Sequence, residues 1–482
     1  MKKHVLKLMG GNLLSKILGF VREIANAAFY GTGTEIGAYR IAQTATLIPI
    51  NFLTSDTLNS AFIPLYKKFS KDENFLRCYV WTMLGVFSIF SLLLTAGTNF
   101  YSYEWVGLLV PNADSDFVLK TNELLIIMAY GIVFYMLSNL LIFISMANDN
   151  YLAMAFRPSV QNIGMLVGTF VSFYSGNYLY LAWGFTASYF LFFLFLLYTN
   201  VTGGYLRLPS SIKVVYIKHV LISFWTIVRP LLLLPIVSQG NIAVEKAMAS
   251  YIGINAIASV DYARFTTESI FFLISTPVAF VGLSSWSGLP AEKMRETLRT
   301  TIKVIFMIAI PISSLVYINS ELIVRLLFQR GQFDETSAYY TIEILKGMSI
   351  GIWAQAVGYI LIKALNAQME NKKVFIAMSI SMTVNAVFNL LFVKEFGAFS
   401  LGLGAAMYGV TLFFISYFML NIQYKVLNEL VKYLVAACLI FLFCSVSDNS
   451  LFNLVISIVL WILFIIYRKD RRELILFIFS KF

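Results

Sequence analysis

Long apolar runs alternate along this chain with short stretches rich in lysine and arginine, and that alternation constrains the fold more than any motif does. Runs long enough to cross a bilayer lie near 9–30, 37–65, 78–100, 119–147, 151–174, 179–201, 220–250, 255–286, 301–328, 337–366, 374–393, 399–424, 430–447 and 451–467. Crossing the hydrocarbon layer takes about 20 apolar residues in a helix. No water is present there to satisfy backbone N–H and C=O groups, so each crossing must close its own hydrogen bonds. The expectation is an all-α polytopic membrane protein with about 14 transmembrane helices. Loop charge sets the orientation. Segments 1–8, 65–77, 148–157, 206–218, 291–303, 370–373, 425–432 and 468–482 carry 24 lysines and arginines, whereas the opposite loops hold only Arg330 and Lys394. The basic side is the cytoplasmic one, so the helix number is even and both termini are cytoplasmic.

Composition excludes the competing classes. Hydrophobic residues make up 59% of the chain and charged ones 13%, with a mean hydropathy of +0.77. Soluble domains are roughly a quarter charged. The net charge of +11 does not mark a nucleic-acid binder, because the basic residues lie in inter-helix loops rather than on one face. Cys78, Cys438 and Cys444 have neither disulfide-framework nor metal-ligand spacing. His4 and His219 fall at helix ends, away from any zinc or haem pattern. The basic start followed by an apolar stretch resembles a signal peptide, yet Lys16, Arg22 and Glu23 interrupt it, so it reads as the first membrane helix. Asp114-Ser115-Asp116 resembles a nucleotide-sugar metal motif, but in a short outer loop it reads as a solvated acidic turn. Loops this short leave no extramembrane domain for glycosyl transfer.

A weak internal repeat divides the chain. Ala-Ala-Phe-Tyr-Gly followed by Ala38-Tyr39-Arg40 is echoed by Ala-Ser-Tyr-Ile-Gly followed by Asp261-Tyr262-Ala263-Arg264, and each is preceded by a charged pair, Arg22-Glu23 and Glu245-Lys246. The match is short enough to arise by chance. Taken as real, it separates an N-terminal lobe (1–205, six helices) from a C-terminal lobe (206–425, six helices). Two further helices and a basic tail (426–482) stand outside the repeat, a common transporter plan.

Charges inside the apolar runs are the candidate site. A charge deep in a bilayer costs several kcal/mol and therefore faces a cavity or a partner. Lys16 and Glu23 are seven apart and share a helix face, as do Asp261, Arg264 and Glu268. Arg40 forms a polar stripe with Gln43 and Thr44, Asp56 follows, and Glu245 and Lys246 are adjacent. The cations Lys16, Arg22, Arg40, Lys246 and Arg264 suit a phosphate or pyrophosphate, which arginine grips through a fork of donors. The anions Glu23, Asp56, Glu245, Asp261 and Glu268 would hold the arginines, accept sugar hydroxyls or bind a coupling cation. The competing reading is that Lys16 with Glu23, and Arg264 with Glu268, merely neutralise one another within a helix.

At these residues the chain resembles the MurJ/MviN lipid II flippases. Residues 12–23, Asn-Leu-Leu-Ser-Lys-Ile-Leu-Gly-Phe-Val-Arg-Glu, resemble that family's S-R-x-L-G-F-x-R-[DE]. Ser60-Ala61-Phe62-Ile63-Pro64 is similar to its S-x-A-F-x-P, Tyr262-Ala263-Arg264 to its Y-A-x-R-L, and Leu327 to Phe333 to its L-F-x-x-G-x-F. The resemblance covers roughly residues 10–425. It implies the two-lobe fold of the multidrug/oligosaccharidyl-lipid/polysaccharide exporter superfamily and carries over Lys16, Arg22, Glu23 and Arg264 as cavity residues. The chain departs from the pattern in three places. The first-helix arginine is Lys16, an aspartate is replaced by Gly37, and an Arg-Arg pair falls at Ile50-Asn51.

Read through these departures, the expected function is a bacterial inner-membrane flippase for an undecaprenyl-pyrophosphate-linked saccharide, the unit of an O-antigen or capsule. Lipid II transport and cation-coupled drug export are the alternatives within the superfamily, and a scaffold for polysaccharide assembly is the alternative outside transport. Flipping breaks no covalent bond, so the chain is not expected to be an enzyme or to carry a cofactor. Its energy would come from a proton or sodium gradient or from capture of the product outside. The partners expected are the lipid-linked substrate, membrane lipids and polysaccharide-assembly proteins, with no nucleic acid.

Overall fold

A computed structural model describes residues 2–54, 56–211, 213–286, 289–447 and 449–467, and among them no strand occurs. The basic segment 468–482 lies outside the described residues. In chain order the helices are α1 (Lys2–Tyr30), α2 (Thr34–Thr54), α3 (Asp56–Phe69), α4 (Glu73–Phe100), α5 (Ser102–Leu109), α6 (Ser115–Ala147), α7 (Leu152–Ser175) and α8 (Leu179–Thr202). Next come α9 (Val214–Val228), a 3₁₀ turn (Arg229–Leu232), α10 (Leu233–Ile252), α11 (Ile254–Trp286), α12 (Ala291–Ile318) and α13 (Ser320–Phe328). The chain closes with α14 (Glu335–Ile350), α15 (Ile352–Ala367), α16 (Asn371–Phe396), α17 (Ala398–Met419), α18 (Lys425–Cys444) and α19 (Ser450–Tyr467).

Helix occupies all fourteen apolar runs, as the missing backbone partners of a bilayer demand. Among the described residues nine spans are long and apolar enough to cross by themselves, and α14 with α15, bent by 49°, make a tenth. The helices α1, α2 and α7 are outside that set, and they carry the charged and amide side chains described below. At the α14–α15 break the N–H of Trp353 donates to Ser313 Oγ at 3.0 Å, so the break leaves no orphan donor there. Aspartates begin several helices. Asp72 caps α4, Asp114 caps α6 and Asp334 caps α14, each accepting from backbone N–H groups of the first turn. The Asp114-Ser115-Asp116 sequence is thus a helix cap followed by an exposed Asp116–Lys120 pair. No group of metal-binding side chains occurs among the described residues.

Two compact units divide the chain, residues 1–257 and 258–482. The run at 220–250, placed by the repeat at the head of the second lobe, belongs to the first unit, because α9 packs on α3 and α4, and α10 packs on α2 and α5. In the first unit α6 is central, packing on α2, α4 and α8. There α7 lies between α1 and α8, and its approach to α8 is unusually close. A Cβ on Gly168 would lie 2.8 Å from Gly184 Cα, and one on Gly184 would lie 2.6 Å from Gly168 Cα. Glycine is needed at both places, since the two backbones touch. In the second unit a core of Phe306, Trp353, Phe413, Tyr417 and Tyr433 ties α12, α15, α17 and α18 together.

Candidate functional site

Three charged side chains from two helices meet in the first unit. Glu23 on α1 accepts from Arg22 at 2.5 Å through one carboxylate oxygen, and its other oxygen accepts from Arg40 on α2. The Glu23 and Arg40 side chains are almost fully buried, at 3% and 4% exposure, and Arg22 is at 14%. A buried carboxylate needs such partners, because desolvation costs more than a poor pairing returns. Arg22 also reaches α7, where Nη1 donates to Asn162 Oδ1 at 2.8 Å. Asn162 in turn donates from Nδ2 to the Ser15 carbonyl at 2.9 Å. The α1–α7 seam continues with Thr169 donating to Asn26 at 2.8 Å and Tyr30 donating to Ser172 at 2.6 Å. These pairs rise together in sequence, so α1 and α7 run parallel and share a polar seam.

The remaining predicted residues fall at several places. Lys16 is half-buried on α1. Asp56 begins α3, and its side chain lies outside the described part of the protein. Glu245 and Lys246, both at 2% exposure on α10, are buried in the first unit, and Lys246 Nζ donates to the Ile257 carbonyl at 3.3 Å. In the second unit Asp261 and Arg264 are half-buried on α11 and Glu268 is exposed. Glu23 is not left to an in-helix partner alone, because it pairs with the neighbouring Arg22 and with Arg40 of the next helix.

Sequence reasoning missed the amides and one arginine. Asn162 and Asn139 are buried but uncharged, so they raised no signal in apolar runs. Arg157 was counted with a cytoplasmic loop, whereas it lies inside α7 and donates to Asn139 and to the Tyr135 hydroxyl, both on α6. Its position five residues before Asn162 on the same helix was the available clue.

Three of the quoted motifs contribute packing contacts. The buried Tyr262 ring lies 5.2 Å from Phe328 and 5.8 Å from Phe333, so the Tyr-Ala-Arg and Leu327–Phe333 segments meet in one aromatic cluster. Phe62 is buried, and its carbonyl accepts from the Tyr79 hydroxyl at 3.1 Å.

The family described as lipid II flippase MurJ matches residues 27–468. The chain belongs to the MurJ lipid II flippase family. A probable lipid II flippase MurJ of Buchnera aphidicola subsp. Acyrthosiphon pisum is 25% identical over 382 residues, 74% of this chain and 70% of the relative. Another, of Thermotoga maritima, is 23% identical over 411 residues, 84% of this chain and 82% of the relative. Among solved structures, a lipid II flippase MurJ in an inward closed conformation superposes with a TM-score of 0.82 at 22% identity, covering 95% of this chain and 97% of that one. An inward-facing multidrug resistance MATE family transporter of the MOP superfamily gives 0.65 at 12% identity, over 86% and 95%. The fold is therefore the multi-pass helical fold of this exporter superfamily.

The family match overturns the O-antigen or capsule reading of the cargo, since the model family and the relatives are lipid II flippases. That reading rested on three departures, and the structure gives physical reasons not to equate them with a changed cargo. Lys16 keeps the positive charge of the arginine it replaces. Arg40 brings a guanidinium to Glu23 although positions 50 and 51 are Ile and Asn. Gly37 packs tightly, since a Cβ there would lie 3.1 Å from the Phe117 ring and 3.4 Å from Ile254, so a larger residue would have to move the ring.

Proposed function

We propose that this chain is a lipid II flippase of the bacterial cytoplasmic membrane. Membership of the MurJ family over residues 27–468 carries the reading. The Arg22–Glu23–Arg40 cluster supports it, because guanidinium forks suit a pyrophosphate and a buried carboxylate holds them extended for it. Within the first unit Lys16 would be a further cationic contact, with Glu245, Lys246 and Asp56 as polar surroundings carried over from the sequence; in the second unit Arg264, with Asp261 and Glu268, is proposed as a substrate-path residue in its own right. The pyrophosphate and sugars would pass through the polar interior while the polyprenyl tail stays in lipid. No bond is made or broken, so the protein acts as a transporter. Both termini face the cytoplasm by the loop-charge count. A proton or sodium gradient is a fitting energy source.

The test is to deplete the protein in its own cells and measure polyprenyl-linked lipids in each leaflet by mass spectrometry. Accumulation of lipid II on the inner leaflet, followed by lysis, is the expected result. Normal lipid II distribution on depletion overturns the proposal.

A further inference from the structure

Arg157 is the one arginine within the α6–α7 hairpin, and its partners are unusual. It donates to the Asn139 amide oxygen and the Tyr135 hydroxyl, and its Cζ sits 4.5 Å from the Tyr135 ring centroid. All three contacts are with neutral groups. Among the described residues no carboxylate lies within ion-pair distance of it. An arginine that is half-buried without a counter-ion retains its full charge, so its surroundings favour an anion that arrives from elsewhere.

Donors left over nearby point the same way. The Asn139 side chain is 1% exposed, and Nδ2, on the amide whose oxygen already serves Arg157, has no hydrogen-bond partner. Gln161, one helical turn along α7 from Arg157, also holds a buried and unpartnered Nε2. A buried N–H without an acceptor is destabilising, and two such donors, one on the amide that binds Arg157 and one a helical turn along α7, would be satisfied by the oxygen atoms of an anion drawn to the guanidinium.

Place completes the argument. Asn162, which holds Arg22, lies five residues beyond Arg157, a rise of about 7.5 Å along α7. Because α1 and α7 run parallel, Arg157 is nearer than Arg22 to the end of the bundle that loop charge assigns to the cytoplasm.

We propose that Arg157, with the free amide donors of Asn139 and Gln161, forms a second pyrophosphate-binding subsite that receives the lipid-linked headgroup on the cytoplasmic side before it reaches Arg22. This rests on the lipid II reading for the identity of the headgroup but not for the chemistry of the subsite.

The experiment uses the full chain in lipid nanodiscs and native mass spectrometry with three probes: lipid II, undecaprenyl pyrophosphate and undecaprenol. Arg157→Gln should weaken both pyrophosphate lipids about tenfold, the loss of one charged hydrogen-bonding group. Undecaprenol binding and the melting temperature should stay unchanged, and Arg157→Lys should recover part of the affinity. Equal affinity of wild type and Arg157→Gln for both pyrophosphate lipids overturns the subsite, as does an equal loss for undecaprenol. If wild type ignores lipid II yet Arg157→Gln still weakens undecaprenyl pyrophosphate, the subsite stands and the lipid II reading falls.

Discussion

Arg22 on α1 donates to the side-chain oxygen of Asn162 on α7 at 2.8 Å, joining two helices 140 positions apart. The same guanidinium is held by Glu23, which also holds Arg40. One carboxylate therefore fixes the direction of two arginines, and one amide fixes where the first of them stands relative to α7.

Removing that carboxylate should damage both folding and transport. Glu23→Gln removes the carboxylate that both guanidiniums share, a change that costs about 3–5 kcal/mol in comparable buried pairs. Thermal unfolding in detergent should show the loss, and lipid II translocation in proteoliposomes should fall at least tenfold. Combining Glu23→Gln with Arg40→Gln should cost less than the sum of the single changes. Strict additivity would show that the two side chains do not act as a pair.

Arg264→Ala should abolish transport while the protein still reaches the membrane at its normal level. The side chain is half-buried on α11 rather than packed in the core, so its loss should spare folding. Translocation at the wild-type rate by this variant would remove Arg264 from the proposed substrate path.

Gly37→Asp restores the residue type that the family pattern carries, yet it should destabilise this chain. The new Cβ would press on Phe117 at 3.1 Å, and overpacking of this kind costs about 1–3 kcal/mol. Phe117→Ala in the same chain should recover part of the loss. A melting temperature equal to wild type for Gly37→Asp alone would refute the steric account.

Asp334 provides a pH-dependent test outside the membrane. The Ser337 backbone N–H at 2.8 Å, together with the Ser337 hydroxyl, holds its carboxyl below the ordinary value of 3.8. A carboxyl held lower in the folded state contributes its stability fully above the unfolded value and loses it as pH falls through the folded one. Asp334→Ala should therefore cost about 0.5–1 kcal/mol at neutral pH. The gap to wild type should close below about pH 4. A gap that stays constant down to pH 2 would mean that the charged cap is not the cause.

The helices were legible because a bilayer leaves the chain no alternative, so apolar length alone locates them. Arg22, Glu23 and Arg40 were legible for a related reason, since a charge in an apolar run must find a partner. Their actual pairing was not, because helical spacing relates Lys16 to Glu23 but cannot show that Arg40 of the next helix reaches the same carboxylate. Asn139 and Asn162 carry no charge and pass as ordinary interruptions of an apolar stretch. Arg157 lies in the run 151–174 but was counted with the basic segment 148–157, so its charge was read as an orientation signal rather than as a candidate site residue. The cargo was misjudged because three departures from the family pattern, at Lys16, Gly37 and Ile50-Asn51, were weighed as lost functional residues, although Lys16 keeps the charge, Arg40 reaches Glu23, and a Cβ at Gly37 would crowd Phe117.

The backbone contact between Gly168 and Gly184 has a mechanical meaning. Two helices that touch through their main chains leave no side-chain layer to act as a bearing, so neither can slide past the other without first being prised apart. Thus α7 and α8 behave as a single plate, and the polar groups on α7 ride on it together. Any rocking of the first unit must then find its play between this plate and the helices that pack on it.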